Sequence, residues 1–195
     1  MKLYEPLPDS VEWDGKRIDL CLTFDRVLDA LDMVSDLRFD EMERIRYCLD
    51  TLCAGKHPDD PDLLSAIFKL LFTGQKSKKK EKALDFEQDR ALIVAAFRQA
   101  YGIDLNAERG RMHWQTFSDL LKGIPADTRL AEVMSIRMRP MPKPTKYNSE
   151  ERANLARLKA EFRLEKTETE IHDNVQAGLQ SMAALLISRA ESKDK

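Results

Sequence analysis

The sequence is poor in several things at once. Of its 195 residues only 7 are glycine, 3 cysteine and 3 histidine, and aromatics make up 7%. Few glycines and many Leu, Ala, Glu, Lys and Arg disfavour a turn-rich β architecture and point to a mainly helical chain. No apolar run reaches the ~18 residues that a membrane-spanning helix needs. The opening Met-Lys-Leu-Tyr-Glu-Pro lacks the apolar core of a signal peptide, so a cytoplasmic, reduced environment is expected. The three cysteines, Cys21, Cys48 and Cys53, are an odd number with no CxxC pair. They read as small apolar residues rather than as disulfides or metal ligands. Charged residues are plentiful at 34%, yet the net charge is only -2, so the whole chain has no basic footprint for nucleic acid.

What is present is amphipathic helix. Asp14-Gly15, inside "VEWDGKRIDL", predicts a type I′ turn and a short N-terminal β-hairpin, with Val11 and Trp13 on one side and Ile18 and Leu20 on the other. Phe24, Val27, Leu28, Leu31 and Val34 keep helical spacing over about 24–36. Asp40 with Glu43 forms a capping box for a helix whose buried face is Met42, Ile45, Leu49 and Leu52, and Gly55 fits a left-handed residue past its end. Asp60-Pro61 starts a third helix with Leu64, Ile67, Phe68 and Leu71 on its core side, closed by Gly74.

The lysine run "QKSKKKEK" then breaks the pattern and reads as a solvated loop rather than a phosphate grip, since no aromatic lies within it. Asp85 with Gln88 predicts a second capping box, followed by Phe86, Leu92, Ile93, Ala96, Phe97 and Tyr101 as a core face and Gly102 as a stop. Helices over about 112–122 and 127–137 are separated by Gly123-Ile124-Pro125. "RMRPMPKPTKYN" is an extended linker, because each proline pushes its predecessor out of helical geometry. Asn148 with Glu151 predicts a helix carrying Leu155, Leu158 and Phe162. A last helix, capped by Thr167 and Glu170, has a seam of Ile171, Val175, Leu179, Met182 and Leu186. That spacing resembles a coiled-coil seam but spans only about two heptads. The expected organisation is all-α: a multi-helix globular domain with an N-terminal hairpin over 1–137, a Pro-rich linker over 138–147 and an extended helical appendage over 148–195.

Catalytic motifs are absent: no Gly-rich phosphate loop, no HExxH, no GxSxG, no clustered Cys/His set. His57, His113 and His172 have no ligand partners at helical spacing. His113 shares a helical face with Thr116 and Phe117 rather than with Asp119, so it reads as a boundary histidine and not a general base. Asp59, Asp60 and Asp62 could hold a divalent ion, but acids at a helix start favour the helix dipole. Residues 112–137 have the scale of a helix-turn-helix. However, Asp127 and Glu132 lie where the second helix would meet phosphates, with only Arg129 and Arg137 to read bases. No catalytic residue, cofactor or metal is expected, and nucleic acid is a lesser alternative.

Three stretches carry a resemblance: "LPDSVEWDGKRIDLCLTFDRVLDAL", "FEQDRALIVAAFRQAYGIDL" and "MHWQTFSDLLKGIPADTRLAEVMSIRMRPMP". Their most specific residues are Asp85 to Asp89, Tyr101 to Leu105, and His113, Trp114, Phe117, Leu120, Leu121, Gly123 and Pro125. Over about residues 1–165 the chain resembles the bacteriophage gene product fifteen family of tailed phages and prophages. The resemblance implies a soluble, non-enzymatic tail assembly chaperone acting in the bacterial host cytoplasm. Such a protein would cover the helical tape-measure protein, with the tail-tube protein as a second partner. Adaptable methionine and aliphatic surface suits that role. The candidate contacts are Met134, Met138, Met141 and the seam Ile171, Val175, Leu179, Met182 and Leu186, which could also pair copies of the chain. Ordinary core or linker packing is the alternative for each, and a permanent structural tail component is the alternative for the whole.

Overall fold

The computed structural model describes residues 5–72 and 83–165. It is mainly α, as the composition predicts. The described residues form a two-stranded antiparallel hairpin, β1 (Ser10–Trp13) and β2 (Lys16–Asp19), and seven helices. These are α1 (Phe24–Ser35), α2 (Glu41–Leu52), α3 (Pro61–Leu71), α4 (Arg90–Tyr101), α5 (Trp114–Lys122), α6 (Arg129–Met138) and α7 (Ser149–Glu161). Isolated helices shorter than about 12–15 residues are marginal in water, so helices of this length depend on tertiary packing. No described helix is long and apolar enough to cross a membrane.

The described residues divide into two compact units, each discontinuous in sequence: 5–72 with 109–118, and 83–108 with 119–165. Helix α5 is shared, its residues to Ser118 belonging to the first unit and those from Asp119 to the second.

In the first unit the hairpin forms as its turn chemistry requires, with positive φ at Asp14 (47°) and Gly15 (71°). Val11 lies opposite Ile18 and Trp13 opposite Lys16. Directly opposed residues share a sheet face, so Val11 and Ile18 sit on the same side and not on opposite ones. Helices α1 and α2 run antiparallel, as the cross-links between them show. Arg26 Nη1 donates to the Thr51 carbonyl at 3.0 Å, Tyr47 Oη to Asp29 at 2.9 Å, and Arg44 Nη1 to the Val34 carbonyl at 3.0 Å. Val27, Ala30, Val34, Ile45, Cys48, Leu49 and Leu52 are buried between them and their neighbours. The Asp40–Glu43 capping box is complete, with Glu43 N–H donating to Asp40 at 2.8 Å and Asp40 N–H to Glu43 at 3.1 Å. Helix α3 starts at Pro61, and Asp60 accepts from the Asp62 N–H at 2.9 Å.

Two expectations fail in this unit. Met42 is exposed rather than part of the buried face of α2, because it lies in the first turn beyond the reach of α1. Gly55 is not left-handed. Helix α2 ends instead on extended Cys53, which bridges Leu20 while Cys21 N–H donates to the Leu52 carbonyl at 2.8 Å. A tertiary bridge therefore replaces a local glycine stop.

In the second unit α6 packs on α4 and α7. Ile93, Ala96, Phe97, Leu105, Leu130, Val133, Ile136 and Leu155 form its core. Helix α7, placed by its sequence in a separate C-terminal extension, packs on α6 within this unit. Asp85 accepts from Glu87 N–H and Gln88 N–H, as a cap would. The helix proper nevertheless begins only at Arg90, and the Gln88 amide bonds across to Glu165 instead of back to Asp85. Phe86, in that preceding turn, is exposed rather than core. The Asn148–Glu151 box also does not form. The Asn148 side chain accepts from Thr145 N–H and donates to the Lys143 carbonyl, which folds the end of the linker. Gly102 closes α4 in the left-handed conformation (φ 69°). Gly123 serves differently: a Cβ there would lie 3.2 Å from the Tyr101 hydroxyl, which donates to the Leu120 carbonyl at 2.9 Å.

The strongest polar tie is Arg137. Its guanidinium forks onto the buried Asp89 carboxylate at 2.6 and 2.8 Å and also donates to the carbonyls of Ala83 (3.0 Å) and Phe162 (2.6 Å). Lys159 Nζ caps the Arg137 carbonyl at 2.7 Å. Replacing Asp89 by Ala leaves a guanidinium buried without its anion, which should cost about 3–5 kcal/mol. Urea unfolding of Asp89→Ala checks this, and the paired Asp89→Leu/Arg137→Met variant should lose less than Asp89→Ala alone.

Candidate functional site

Residues 112–137, which include His113, have the geometry of a structural corner. His113 precedes α5 and caps it. Its Nδ1 accepts from the Gln115 backbone N–H at 3.0 Å, and Nε2 faces the Pro8 carbonyl at 3.1 Å. An acceptor at Nδ1 and a donor at Nε2 define one neutral tautomer. Both ring nitrogens are occupied, so no free base remains for a substrate. Burial pushes the His113 pKa below its ordinary 6.5, against the Pro8 carbonyl, which raises it. The backbone is tied at the same place: Thr23 bridges His113, Trp114 N–H donates to the Leu22 carbonyl at 2.7 Å, and Phe24 N–H to the Met112 carbonyl at 3.0 Å. Below it the rings of Phe24 and Phe117 stack at 4.9 Å, and Trp114 meets Phe72 edge-on at 5.9 Å.

The rest of the corner is equally structural. Thr128 is buried; its hydroxyl donates to the Pro125 carbonyl at 2.9 Å and accepts from Ala131 N–H at 3.3 Å, capping α6, which starts at Arg129, two residues later than expected. The two arginines that a helix-turn-helix would need are engaged within the fold. Arg129 pairs with Glu132 at 2.7 Å and lies 4.9 Å over the Phe162 ring, and Arg137 holds Asp89.

The remaining polar candidates are also committed. His57 faces Asp50 at 3.1 Å, Asp59 pairs with Arg46 at 2.8 Å, and Asp60 caps α3. Among the described residues no group of three His, Cys, Asp or Glu is placed to hold a metal ion. Burial pushes the Cys48 thiol up to about 12 and the Cys53 thiol up to about 11, and Cys48 Sγ donates to the Ala30 carbonyl at 3.3 Å.

The surface offers more than the interior. Met134 is half-buried on α6, whereas Met138 at its end and Met141 in the extended segment are exposed. Ile171, Val175, Leu179, Met182 and Leu186 lie outside the described residues. Two apolar surfaces escaped the sequence reading. One is a groove of about 590 Å³ along α4, floored by Ala91, Val94 and Ala95 and rimmed by Arg90, Arg98 and Asn106. Its residues recur at i, i+3 and i+4, a pattern weakened in the sequence by alanines, which carry little hydrophobic signal. The other is the tip between α1 and α2, where Leu37, Phe39 and Met42 are all exposed.

Two measurements test this description. Lowering pH charges His113 against its cap. A depressed histidine contributes its full stability above 6.5 and loses it as pH falls from there toward the folded-state value. Thermal unfolding of the wild type should therefore lose stability over that window relative to a His113→Asn variant, which keeps a cap acceptor without titrating. A thiol reagent at pH 8 should label Cys48 and Cys53 only after denaturation, because thiolate formation and access are both suppressed in the native state.

No curated protein and no solved structure matches the chain. A family model, that of the bacteriophage Gp15 protein, matches residues 3–164, most of the chain and all of the α-helices described above. The chain thus belongs to the bacteriophage Gp15 protein family, as its three resembling stretches led one to expect.

Proposed function

We propose that this protein is a non-enzymatic phage tail assembly chaperone that binds helical segments of the tape-measure protein in the host cytoplasm. Membership of a bacteriophage family supports a structural or assembly-related phage role. The observation that carries the finer reading is the α4 groove. Small side chains on its floor let a partner helix approach closely, and Arg90 and Arg98 beside it, the latter paired with Asp104 at 2.6 Å, give the polar flanks that an amphipathic helix meets. An unassembled tape-measure helix exposes long apolar seams, and such seams aggregate unless covered. The exposed Met138 and Met141 add adaptable apolar contact, and Met134 lies one turn back on α6. The seam Ile171, Val175, Leu179, Met182 and Leu186 is a further contact in this proposal, with tail-tube subunits as the partner that follows.

Co-expression with the tape-measure protein of the same phage tests the reading. The expected result is more soluble tape measure and its co-purification, with both effects reduced by Ala91→Glu/Ala95→Glu, which fills and charges the groove floor. Neither gain in solubility nor co-purification with the unaltered protein would reject the role.

A further inference from the structure

We propose that copies of this chain associate, the α1–α2 tip of one docking on the Pro-rich arm, residues 138–147, of another. Large apolar side chains on the outside are not scattered. Of the eight exposed among the described residues, Leu37, Phe39, Met42 and Tyr47 fall on α1–α2 and its tip, and Met138, Met141 and Tyr147 fall on the arm; only Phe86 lies elsewhere. Leu37 is 54% exposed and Tyr147 91%. Contiguous exposed apolar surface marks an interaction site.

The two surfaces are opposite in charge. Around the tip, Asp36, Asp40, Glu41 and Glu43 outnumber Arg38, Arg44 and Arg46, and Arg46 is paired with Asp59 at 2.8 Å. Along the arm, Arg139, Lys143 and Lys146 stand with no acid between Met138 and Tyr147. Both are also held in shape before they meet a partner. The tip is set by the Asp36–Arg38 fork (2.5 Å) and the Asp40–Glu43 capping box. The arm is set by its three prolines, by Asn148 bonded to Thr145 and Lys143, and by Arg152 donating to the Pro142 carbonyl. Preorganised partners lose little entropy on binding.

Apolar residues ringed by acid on one surface and by base on the other make the chain complementary to a second copy of itself. Each copy offers one tip and one arm, so two copies can join through one such contact or through two reciprocal ones. Met138 and Met141 are shared with the tape-measure reading, but the inference does not rest on that reading and survives its failure.

Sedimentation of the full chain over a range of concentrations tests it. Associated species should grow with concentration and shrink as ionic strength rises from about 0.01 M to about 1 M, over which the Debye length falls from ~30 to ~3 Å. Leu37→Ser/Phe39→Ser and Arg139→Glu/Lys143→Glu/Lys146→Glu should each be monomeric. Their thermal midpoints should stay near that of the wild type, because every altered side chain is exposed. The decisive sample is the mixture of the two variants. One keeps an intact arm and the other an intact tip, so together they should form a one-to-one dimer and nothing larger. A wild type that is monomeric at every concentration overturns the proposal. So does association that persists in both variants, which would place the contact elsewhere on the chain, or a mixture that fails to pair. Variants that lose tape-measure binding while the wild type stays monomeric would assign the surfaces to that partner and likewise overturn it.

Discussion

Arg137 is the residue on which the second unit depends. A buried guanidinium needs both an anion and carbonyls to occupy its remaining donors, or its desolvation is uncompensated. Asp89 supplies the anion, at the foot of α4. The carbonyls come from Ala83, before that helix, and Phe162, after α7. One side chain at the end of α6 thereby gathers segments far apart in sequence. The fork also explains why α4 starts at Arg90. The Asp89 carboxylate, which also accepts from Asp85 N–H, is committed to the ion pair and the turn before the helix.

The first unit uses backbone where the second uses a side chain. The run from Asp19 to Phe24 is not a long strand, yet its peptide groups are paired on successive residues: Ala54 N–H with Asp19, Cys21 N–H with Leu52, Trp114 N–H with Leu22 and Phe24 N–H with Met112. Buried peptide groups must be satisfied somewhere. Here the end of α2 and the start of α5 satisfy them. The aromatic cluster of Phe24, Phe117, Trp114 and Phe72 then fills the space beneath these ties. The surface of the described residues carries an apolar groove along α4, an acidic apolar tip and a basic methionine-bearing arm.

Much of the fold was legible locally. The Asp14-Gly15 turn, the Asp40–Glu43 box, Asp60-Pro61 and Gly102 all act over a few residues, so their chemistry is complete within the sequence window that contains them. The errors share a cause. Asp85/Gln88 and Asn148/Glu151 have the spacing of capping boxes, but Gln88 found Glu165 and Asn148 found Lys143 and Thr145 instead. A capping pattern states what a side chain can reach in its own helix and not what else will be near it. Met42 and Phe86 fit helical periodicity but stand at the edges of their helices, Met42 in the first turn of α2 and Phe86 in the turn before α4, and both are exposed. The α4 groove was hidden because alanine marks a face only weakly.

The sequence by itself determined that the chain is mainly helical, that it opens with a hairpin, and that it carries no catalytic motif. Those properties follow from composition, turn chemistry and periodicity, which act between near neighbours. It also carried the stretches that resemble the family, whose most specific residues lie between Asp85 and Pro125. Only the tertiary structure decided that His113 is a neutral helix cap, that Arg137 is an internal clamp and that Leu37, Phe39 and Met42 are left outside. A histidine, an arginine or a methionine has several roles open to it. Which one it takes depends on the carbonyl, carboxylate or empty solvent that folding brings to its end.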